Sequence, residues 1–283
     1  MKKRYYLVAL FIILSAAVTG YKLAFTVPQQ PQLLTVGESP SGKPLVCYRN
    51  EHAKPLDNNG QIDLMVWNIY KQNRPQWSKA LTQLSSDKQL LLMQEASLTN
   101  EFKSWIVDNG WGGNQVSAFK VMGESAGVVN LARTMPSLAC GYTEMEPWLR
   151  LPKSGIYALY PLSNGQSLAV VNIHAVNFTY GTQEYQLQLK ALSEELEKHQ
   201  GPVIVAGDFN SWNEKRLTVM KNALVSLGLQ EVEFAPDHRI RFMTGLPLDH
   251  VFYSGLVVRN AKAPESDASD HNPLLLSFSL SQY

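Results

Sequence analysis

The stretch Pro202-Val203-Ile204-Val205-Ala206-Gly207-Asp208-Phe209-Asn210 decides the fold, because an apolar run passes directly into a carboxylate and an amide. The run predicts a buried strand, with the polar residues at its end. A second string, Ser269-Asp270-His271-Asn272-Pro273, precedes another apolar run at 274–278. Rigid strands that bring Asp, Asn and His to one edge of a sheet form a platform for a metal and a phosphate. Either string alone is also compatible with ordinary turn residues after a strand.

The same arrangement, an apolar run beside polar residues, recurs along the chain. For any single position, an ordinary strand-end residue is the better interpretation. For the whole ordered set, one shared site is the better interpretation, because the polar groups would then meet at one edge. The set consists of Asn68, Glu95, His174, Asn177, Asp208, Asn210, Asp249, Asp270 and His271.

From residue 61 onward, short apolar runs alternate with amphipathic stretches. The predicted strands are 62–69, 90–94, 127–131, 155–160, 167–173, 203–206, 250–253 and 274–280. The predicted helices are 77–84, 183–199 and 217–229, where apolar residues recur at helical spacing. Strands mixed with a few long helices, without strict alternation, predict a layered α/β or α+β fold with a large mixed sheet system.

Composition indicates a folded protein, with 45% hydrophobic and 17% charged residues among 283. The net charge is +1, from 25 basic and 24 acidic residues. Proteins that track nucleic acid usually carry a basic excess, because neutralised phosphates supply much of their affinity. Global charge therefore gives no support to a nucleic-acid substrate.

Residues 1–27 are predicted to be a signal-anchor, with a cleaved signal peptide as the alternative. Lys2-Lys3-Arg4 precedes a charge-free apolar stretch that runs from Tyr5 to Tyr21. Basic residues before the stretch would leave the rest of the chain outside the cytoplasm, anchored in the inner membrane or secreted. A buried N-terminal helix of a cytoplasmic protein is the remaining alternative. The segment thus predicts the membrane as a partner, and no protein partner can be inferred.

Residues 28–60 are rich in Pro, Gln, Gly, Ser and Asn and are predicted to be a linker, with the folded domain at 61–283. The chain has two cysteines, Cys47 and Cys140. In an oxidising compartment they could pair and join the linker to the domain. Two unpaired buried thiols are an equally good interpretation of the sequence.

The ordered strings resemble the endonuclease/exonuclease/phosphatase superfamily of metal-dependent phosphohydrolases, over about residues 62–278. More narrowly, the strings at 66–71 and 171–178 look like an uncharacterised bacterial branch, the YafD-like proteins. The resemblance implies a four-layer α/β sandwich in which two packed mixed β-sheets are flanked by helices. The strings are Trp67-Asn68, Gln94-Glu95, Asn172-Ile173-His174, Gly207-Asp208-Phe209-Asn210, Leu248-Asp249-His250 and Ser269-Asp270-His271.

The resemblance also implies roles for the metal ligands and the water. Glu95 is the principal ligand of Mg²⁺ (or Mn²⁺), with Asn68 and Asp270 completing or adjoining the site. Asp208 orients and deprotonates the attacking water, and Asn210 holds that region and a phosphate oxygen.

The remaining implied roles concern the phosphate. His271 donates to it, with Asp249 fixing the tautomer of the imidazole. His174 contacts the phosphate or protonates the leaving group, and Asn177 is a further phosphate contact.

Two positions depart from the pattern of the apurinic endonucleases, which have Asp where this chain has Tyr70 and Tyr where it has His174. The expected activity is that of a divalent-metal-dependent phosphohydrolase, a phosphodiesterase or nuclease. The alternative is a catalytically silent envelope protein that binds a phosphorylated ligand in the same cleft. Nucleic acid, phospholipid head groups and soluble phosphoesters all remain open as substrates, because surface loops set selectivity.

Overall fold

The apolar runs of the sequence pair as strands of two β-sheets. The computed structural model describes residues 2–37, 46–121 and 123–281, so that 38–45 of the expected linker and the last two residues of the expected domain lie outside the described residues. Apolar residues from both sheets form one buried layer between them, which includes Leu64, Val66, Val170 and Ile204. Two further apolar layers join the outer face of each sheet to helices. This is the four-layer α/β sandwich that the resemblance implies.

The first sheet has eight strands in the order β1-β6-β7-β5-β4-β15-β14, with β2 paired to β6. Its central strands β4 and β5 are parallel, so their carboxyl ends lie at the same edge. The strands are β1 (Phe25–Thr26), β2 (Gln32–Val36), β4 (Gln61–Asn68), β5 (Leu90–Ser97), β6 (Gly112–Val121), β7 (Glu124–Ala132), β14 (Leu256–Lys262) and β15 (Leu274–Leu280).

The second sheet has seven strands in the order β12-β13-β11-β10-β9-β8-β3. Its parallel pair is β10 and β11. The strands are β3 (Cys47–Arg49), β8 (Leu138–Met145), β9 (Pro152–Pro161), β10 (Ser167–His174), β11 (Val203–Asp208), β12 (Gln230–Glu231) and β13 (Asp249–Ser254).

Helices α2 and α3 cover the first sheet, and α4 and α5 cover the second. Each turns an apolar stripe inward; Leu189, Leu192 and Leu196 of α4 are buried in this way. The helices are α1 (Lys2–Ala24), α2 (Trp77–Ser85), α3 (Asn100–Asp108), α4 (Gln183–Leu196) and α5 (Glu214–Val225). All eight predicted strands and all three predicted helices are found, with ends shifted by a few residues.

The expectation of a linker at 28–60 is wrong for two of its segments. Strand β2 pairs with β6, and β3 pairs with β8, so both segments belong to sheets. Composition concealed this, because Pro and Gln flank a short run, Leu33-Leu34-Thr35-Val36, whose Leu33 is fully buried. Cys47 and Cys140 lie opposite each other in the β3–β8 register and form a disulfide.

Helix α1 contains a candidate membrane span, Arg4–Ala24, with a mean hydropathy of 2.0. None of the residues in the apolar window of this span is buried within the protein. The expectation of a buried N-terminal helix does not describe this segment. Strand β1 follows α1 without an intervening residue and pairs with the end of β6. The helix is therefore joined directly to the first sheet.

Candidate active site

The polar strand ends predicted from the sequence meet at one edge of the sandwich. In the second sheet, His174 pairs in register with Asp208, and Asp208 with Asp249, so three adjacent strands present these residues side by side. In the first sheet, Asn68 ends β4, beside Gln94 of β5. The edge forms the base of a cleft of about 630 Å³. Of the nine predicted site residues, eight line it: Asn68, Glu95, His174, Asn177, Asp208, Asn210, Asp270 and His271.

The ninth residue, Asp249, lies behind the cleft lining and is buried. Its Oδ2 lies 2.7 Å from Nδ1 of His271. Burial opposes a charge on His271, but Asp249 outweighs it, together with Asp208 and Asp270, and raises the pKa of the imidazole to about 10. His271 is therefore an imidazolium at neutral pH, and its Nε2–H faces the cleft 3.9 Å from Asp208 Oδ2.

The end of β11 and the turn that follows it accept only certain residue types. Gly207 has φ +142°, and a Cβ there would lie 2.0 Å from the Ile173 carbonyl oxygen, so a side chain is excluded. Asn210 has φ +47°, in the left-handed region that Asn tolerates better than most residues. Its backbone N–H donates to Asp208 Oδ1 (2.9 Å), and its Nδ2 donates to the Ala175 carbonyl (2.8 Å). The turn thus fixes the orientation of the Asp208 carboxylate.

Two polar contacts join the sheets beneath the cleft. Asn68 Nδ2 donates to Asp208 Oδ2 at 3.0 Å, which links the end of β4 to the end of β11. Deeper in the core, Gln94 Nε2 donates to Asn172 Oδ1 at 2.7 Å, and both side chains are fully buried. Because an unpaired amide in the core is costly, these contacts hold the two sheets in one relative position.

Glu95 lies in β5, directly after Gln94, and has φ +49°. A non-glycine residue rarely adopts this conformation, and such strain is concentrated at functional sites. Its carboxylate pairs with the Lys71 ammonium and lies 3.9 Å from Lys153 Nζ. Burial would raise the pKa of Glu95, but His174, Lys153 and Lys71 outweigh it and lower the pKa to about 2. Glu95 is therefore ionised throughout the physiological range.

His174 is neutral, because here burial outweighs the neighbouring charges that favour its ionised form. Burial and the nearby Lys153 lower its pKa to about 4, against the effect of Asp208 and Glu95. Lys153 Nζ lies 2.9 Å from His174 Nε2. An ammonium only donates, so Nε2 accepts and the imidazole proton resides on Nδ1.

A buried arginine holds the loops on the far side of the cleft. Arg216 of α5 is 1% exposed, and its guanidinium donates to the carbonyls of Asn210 (2.7 Å), Val176 and Asn177 (3.4 Å). Asn177, which lines the cleft, accepts at Oδ1 from Trp212 Nε1 at 2.9 Å. Neither Arg216 nor Trp212 belongs to the predicted set.

The mouth of the cleft is apolar and comes entirely from loops. The rings of Trp148 and Tyr180 are in contact on one side, tilted by 38° with centroids 4.7 Å apart, and Phe242 contacts Trp212 on the other. Leu149 and Met243 stand beside them and are exposed. We refer to Trp148, Leu149, Tyr180, Phe242 and Met243 as the apolar rim.

Sequence reasoning also missed both lysines beside Glu95. Lys71 follows β4, pairs with Glu95 and lies in a left-handed turn, Tyr70–Gln72. Lys153 lies on β9, far from every motif in sequence. Since charge pairing between strands of different sheets depends on how the two sheets pack, a single sequence offers no signal for it. The rim was missed because isolated aromatic residues in loops have no pattern.

Glu95, Asp270 and Asn68 line the same cleft, and their donor atoms are of the type that a divalent cation takes. All three offer oxygen, which hard cations such as Mg²⁺ and Mn²⁺ prefer, and the low pKa keeps Glu95 charged. Among the described residues, one group of three has ligand atoms within 4.8 Å of one another: Asp208, Asp249 and His271. In that group Asp249 and His271 are hydrogen-bonded to each other. The group therefore resembles a hydrogen-bonded network more closely than a set of free metal ligands.

Comparisons with known proteins agree with this geometry. Residues 65–271 match the sequence profile of the Endonuclease/Exonuclease/phosphatase family. A UPF0294 protein of Vibrio cholerae is 59% identical over 280 residues, 99% of each chain. Enzymes of this family generally use divalent metals.

Solved structures share the fold. An endonuclease/exonuclease/phosphatase from Bacteroides vulgatus superposes with a TM-score of 0.61 at 17% identity, over 78% of this chain and 99% of that one. The human Nocturnin catalytic domain, solved with bound sulfate, gives 0.59 at 19% identity, over 79% and 95%. The match of the family profile and of the V. cholerae relative, together with this fold, places the chain in the endonuclease/exonuclease/phosphatase family, as a phosphoesterase-type hydrolase of the YafD-like branch.

Proposed function

We propose that the protein is a divalent-metal-dependent phosphodiesterase that cleaves by in-line attack of water. The observation that carries the proposal is the opposition, across one cleft, of the Asp208 carboxylate and the His271 imidazolium, 3.9 Å apart at their nearest atoms. A carboxylate that accepts a proton beside a cation that stabilises a phosphate is what phosphoester hydrolysis needs.

A cation such as Mg²⁺ or Mn²⁺, held by Asn68, Glu95 and Asp270, would supply positive charge to the phosphate oxygens. Asp208 accepts the proton of the attacking water, and the Asn210 N–H and Asn68 Nδ2 hold its two carboxylate oxygens in place. Because both oxygens already accept one hydrogen bond each, the carboxylate has a single orientation before substrate arrives.

The phosphate would lie between three donors. His271 donates through Nε2, and Asp249 keeps its Nδ1 protonated and its ring fixed. Asn177 Nδ2 donates from the opposite wall. His174 and Lys153 act as a pair at the leaving oxygen: Lys153 carries the proton, and His174 positions it.

The test is hydrolysis of a chromogenic bis-aryl phosphodiester by the full-length protein in detergent, with and without Mg²⁺ or Mn²⁺. We expect metal-dependent turnover that falls by about a hundredfold or more in Asp208→Ala and in His271→Ala, the loss typical of a missing acid or base. Full activity in both variants would refute the mechanism. Ligand-dependent thermal stabilisation without turnover would instead identify a silent phosphoester-binding protein.

We further propose that α1 anchors the protein in a membrane with the catalytic domain outside the cytoplasm. Three features support this: a basic start, an exposed apolar helix, and a disulfide between Cys47 and Cys140, which persists in oxidising compartments. A reporter active only outside the cytoplasm, fused at the C-terminus, should be active. An inactive reporter together with an active cytoplasmic one would contradict this topology.

A further inference from the structure

The apolar rim exposes large side chains around the mouth of the cleft. Met243 is 95% exposed and Tyr180 is 84% exposed. A soluble protein seldom presents several such residues together. Apolar side chains around a cleft mark a surface that a membrane or another molecule covers. Trp and Tyr are also the residues enriched where proteins meet the boundary between lipid and water.

The membrane helix ends beside this rim. Tyr21, in the last turn of α1, donates its hydroxyl to the Leu149 carbonyl at 2.9 Å. One turn later, Phe25 packs on Phe119 of β6, with ring centroids 6.2 Å apart. Phe119 and Glu95 line the same small cavity behind the cleft. Two independent contacts thus place the point at which the chain would leave the bilayer next to the cleft.

The junction between helix and domain leaves little freedom. Because β1 follows α1 directly and pairs with β6, no flexible segment separates a span from the sheet. A domain held this way cannot move far from the bilayer surface, and the rim loop that contains Leu149 is bonded to the end of the span.

From these contacts we propose that the apolar rim docks on the lipid–water interface and that the cleft takes its phosphodiester from the bilayer, as a phospholipid head group. This deepens the proposed function and rests on it. The reaction adds one water to phosphorus and breaks one P–O ester bond. The leaving oxygen departs as an alcohol with a proton, and a phosphate monoester remains.

A phospholipid explains the rim better than a nucleic acid does. Bases stack on aromatic rings, but Leu149 and Met243 offer no ring, and the net charge of +1 provides no excess to neutralise a phosphate backbone. An aliphatic and aromatic rim beside a membrane span suits acyl chains and the glycerol region.

The first measurement asks whether the rim contacts lipid. A tryptophan is added at the rim tip, Met243→Trp, or, as a matched control, on the exposed face of α5, Val225→Trp, where Val225 is 58% exposed. Both full-length variants are placed in nanodiscs of phosphatidylethanolamine and phosphatidylglycerol with brominated acyl chains. We expect quenching of the added emission in Met243→Trp but not in Val225→Trp. Equal quenching, or none in either, overturns the docking.

The second measurement asks what the cleft cuts. The triple variant Leu149→Ser/Tyr180→Ser/Met243→Ser changes rim residues that do not line the cleft, and it keeps the Leu149 carbonyl bonded to Tyr21. The control is Leu187→Ser/Val225→Ser on α4 and α5. In nanodiscs with Mg²⁺, we expect the triple variant to lose phospholipid hydrolysis by about tenfold or more, in proportion to the apolar area withdrawn, and to cleave the soluble bis-aryl diester with a kcat within about twofold of the wild-type value.

The outcomes separate the two proposals. Hydrolysis of the soluble diester without hydrolysis of nanodisc phospholipid overturns the lipid substrate and leaves the phosphodiesterase standing; cleavage of single-stranded DNA in its place would do the same. Quenching of Met243→Trp with no hydrolysis of any diester overturns the proposed activity and leaves the docking standing. Equal loss of phospholipid hydrolysis in the triple variant and its control overturns the role of the rim.

Discussion

The base of the cleft and its rim are built in opposite ways. The base, which comprises Asn68, Glu95, Asp208, Asp249 and His271, consists of strand ends and the residues beside them, and four of its members, Asn68, Asp208, Asp249 and His271, are buried. Each of the five has a side-chain hydrogen bond or ion pair. The rim consists of loop residues that are exposed and make few contacts.

This difference separates two tasks. Buried polar groups are costly unless they are paired, so the base is held in one arrangement and can favour one transition state. The rim can change without cost to the fold, and it decides which molecules reach the base. Substitutions in the base should therefore act on turnover and metal binding, whereas substitutions in the rim should act on substrate capture.

The largest effect is expected for Asp208→Asn, which keeps the shape of the side chain and removes the proton acceptor. Turnover of the bis-aryl diester at saturating Mg²⁺ should fall by about a thousandfold, within the range of general-base catalysis. The control is Asp87→Asn, since Asp87 is 71% exposed and pairs with its neighbour Lys88. Rates within about tenfold of wild type in Asp208→Asn would show that the base does not act as proposed.

Metal binding provides the next comparison. Glu95→Gln removes a negative charge from a carboxylate whose pKa the neighbouring basic groups keep low. We expect the affinity for Mn²⁺ to be about tenfold to hundredfold weaker. The measurement is a titration in which bound Mn²⁺ loses the electron-paramagnetic-resonance signal of the free ion. Glu124→Gln, at the exposed β6–β7 turn, should bind Mn²⁺ like the wild type. Chelation should abolish turnover, and readdition of metal should restore it. Unchanged affinity in Glu95→Gln would place the cation elsewhere.

The rim should respond differently. Trp148→Ala removes a ring that lines the cleft mouth and packs against Tyr180. We expect KM for the bis-aryl diester to rise about fivefold to tenfold, with kcat within about twofold, since the ring contributes to binding substrate and transition state alike. A fall in kcat equal to the fall in kcat/KM would contradict the division between base and rim.

The sequence predicted that the residues of the base lie together, because the information for this placement is local. An apolar run followed by Gly-Asp-Phe-Asn specifies both a strand and what lies at its end, and Gly207 has no alternative at its φ. Parallel pairing of β10 with β11 then brings His174 and Asp208 together without any further signal. The same local logic recovered the strands and helices of the core.

The rest depends on contacts between distant segments. Lys153 reaches Glu95 only because β9 and β5 belong to different sheets that face each other, and Arg216 reaches three carbonyls only after α5 packs. Helix α3 was missed although Thr99 accepts from Phe102 N–H as its cap, because its polar residues obscure the apolar stripe. Strand β2 was missed because Pro and Gln around it suggested a linker.

The smallest effect on activity should come from the support beneath the base, where Glu231→Gln alters stability and leaves the cleft residues in place. Glu231 Oε1 lies 2.6 Å from Nδ1 of His250, whose Nε2 lies 2.8 Å from the Ser211 hydroxyl, in the turn after Asp208. Burial would raise the pKa of Glu231, but His250 and Lys221 outweigh it and lower the pKa to about 2. The folded state therefore binds this proton more weakly than the unfolded state does.

The sign of the pH dependence follows from that difference. The stabilisation is fully present above about pH 4.5, the unfolded pKa, and is lost as pH falls toward about 2. At pH 7, Glu231→Gln should unfold with about 2 kcal/mol less free energy, a drop in Tm of about 4–8 °C for a chain of this size, and less than half of the difference should remain at pH 3. Thermal unfolding of both full-length proteins in the same detergent at the two pH values measures this. A Tm difference that grows on acidification, or a kcat changed by more than about threefold at pH 7, would show that Glu231 does more than support the turn.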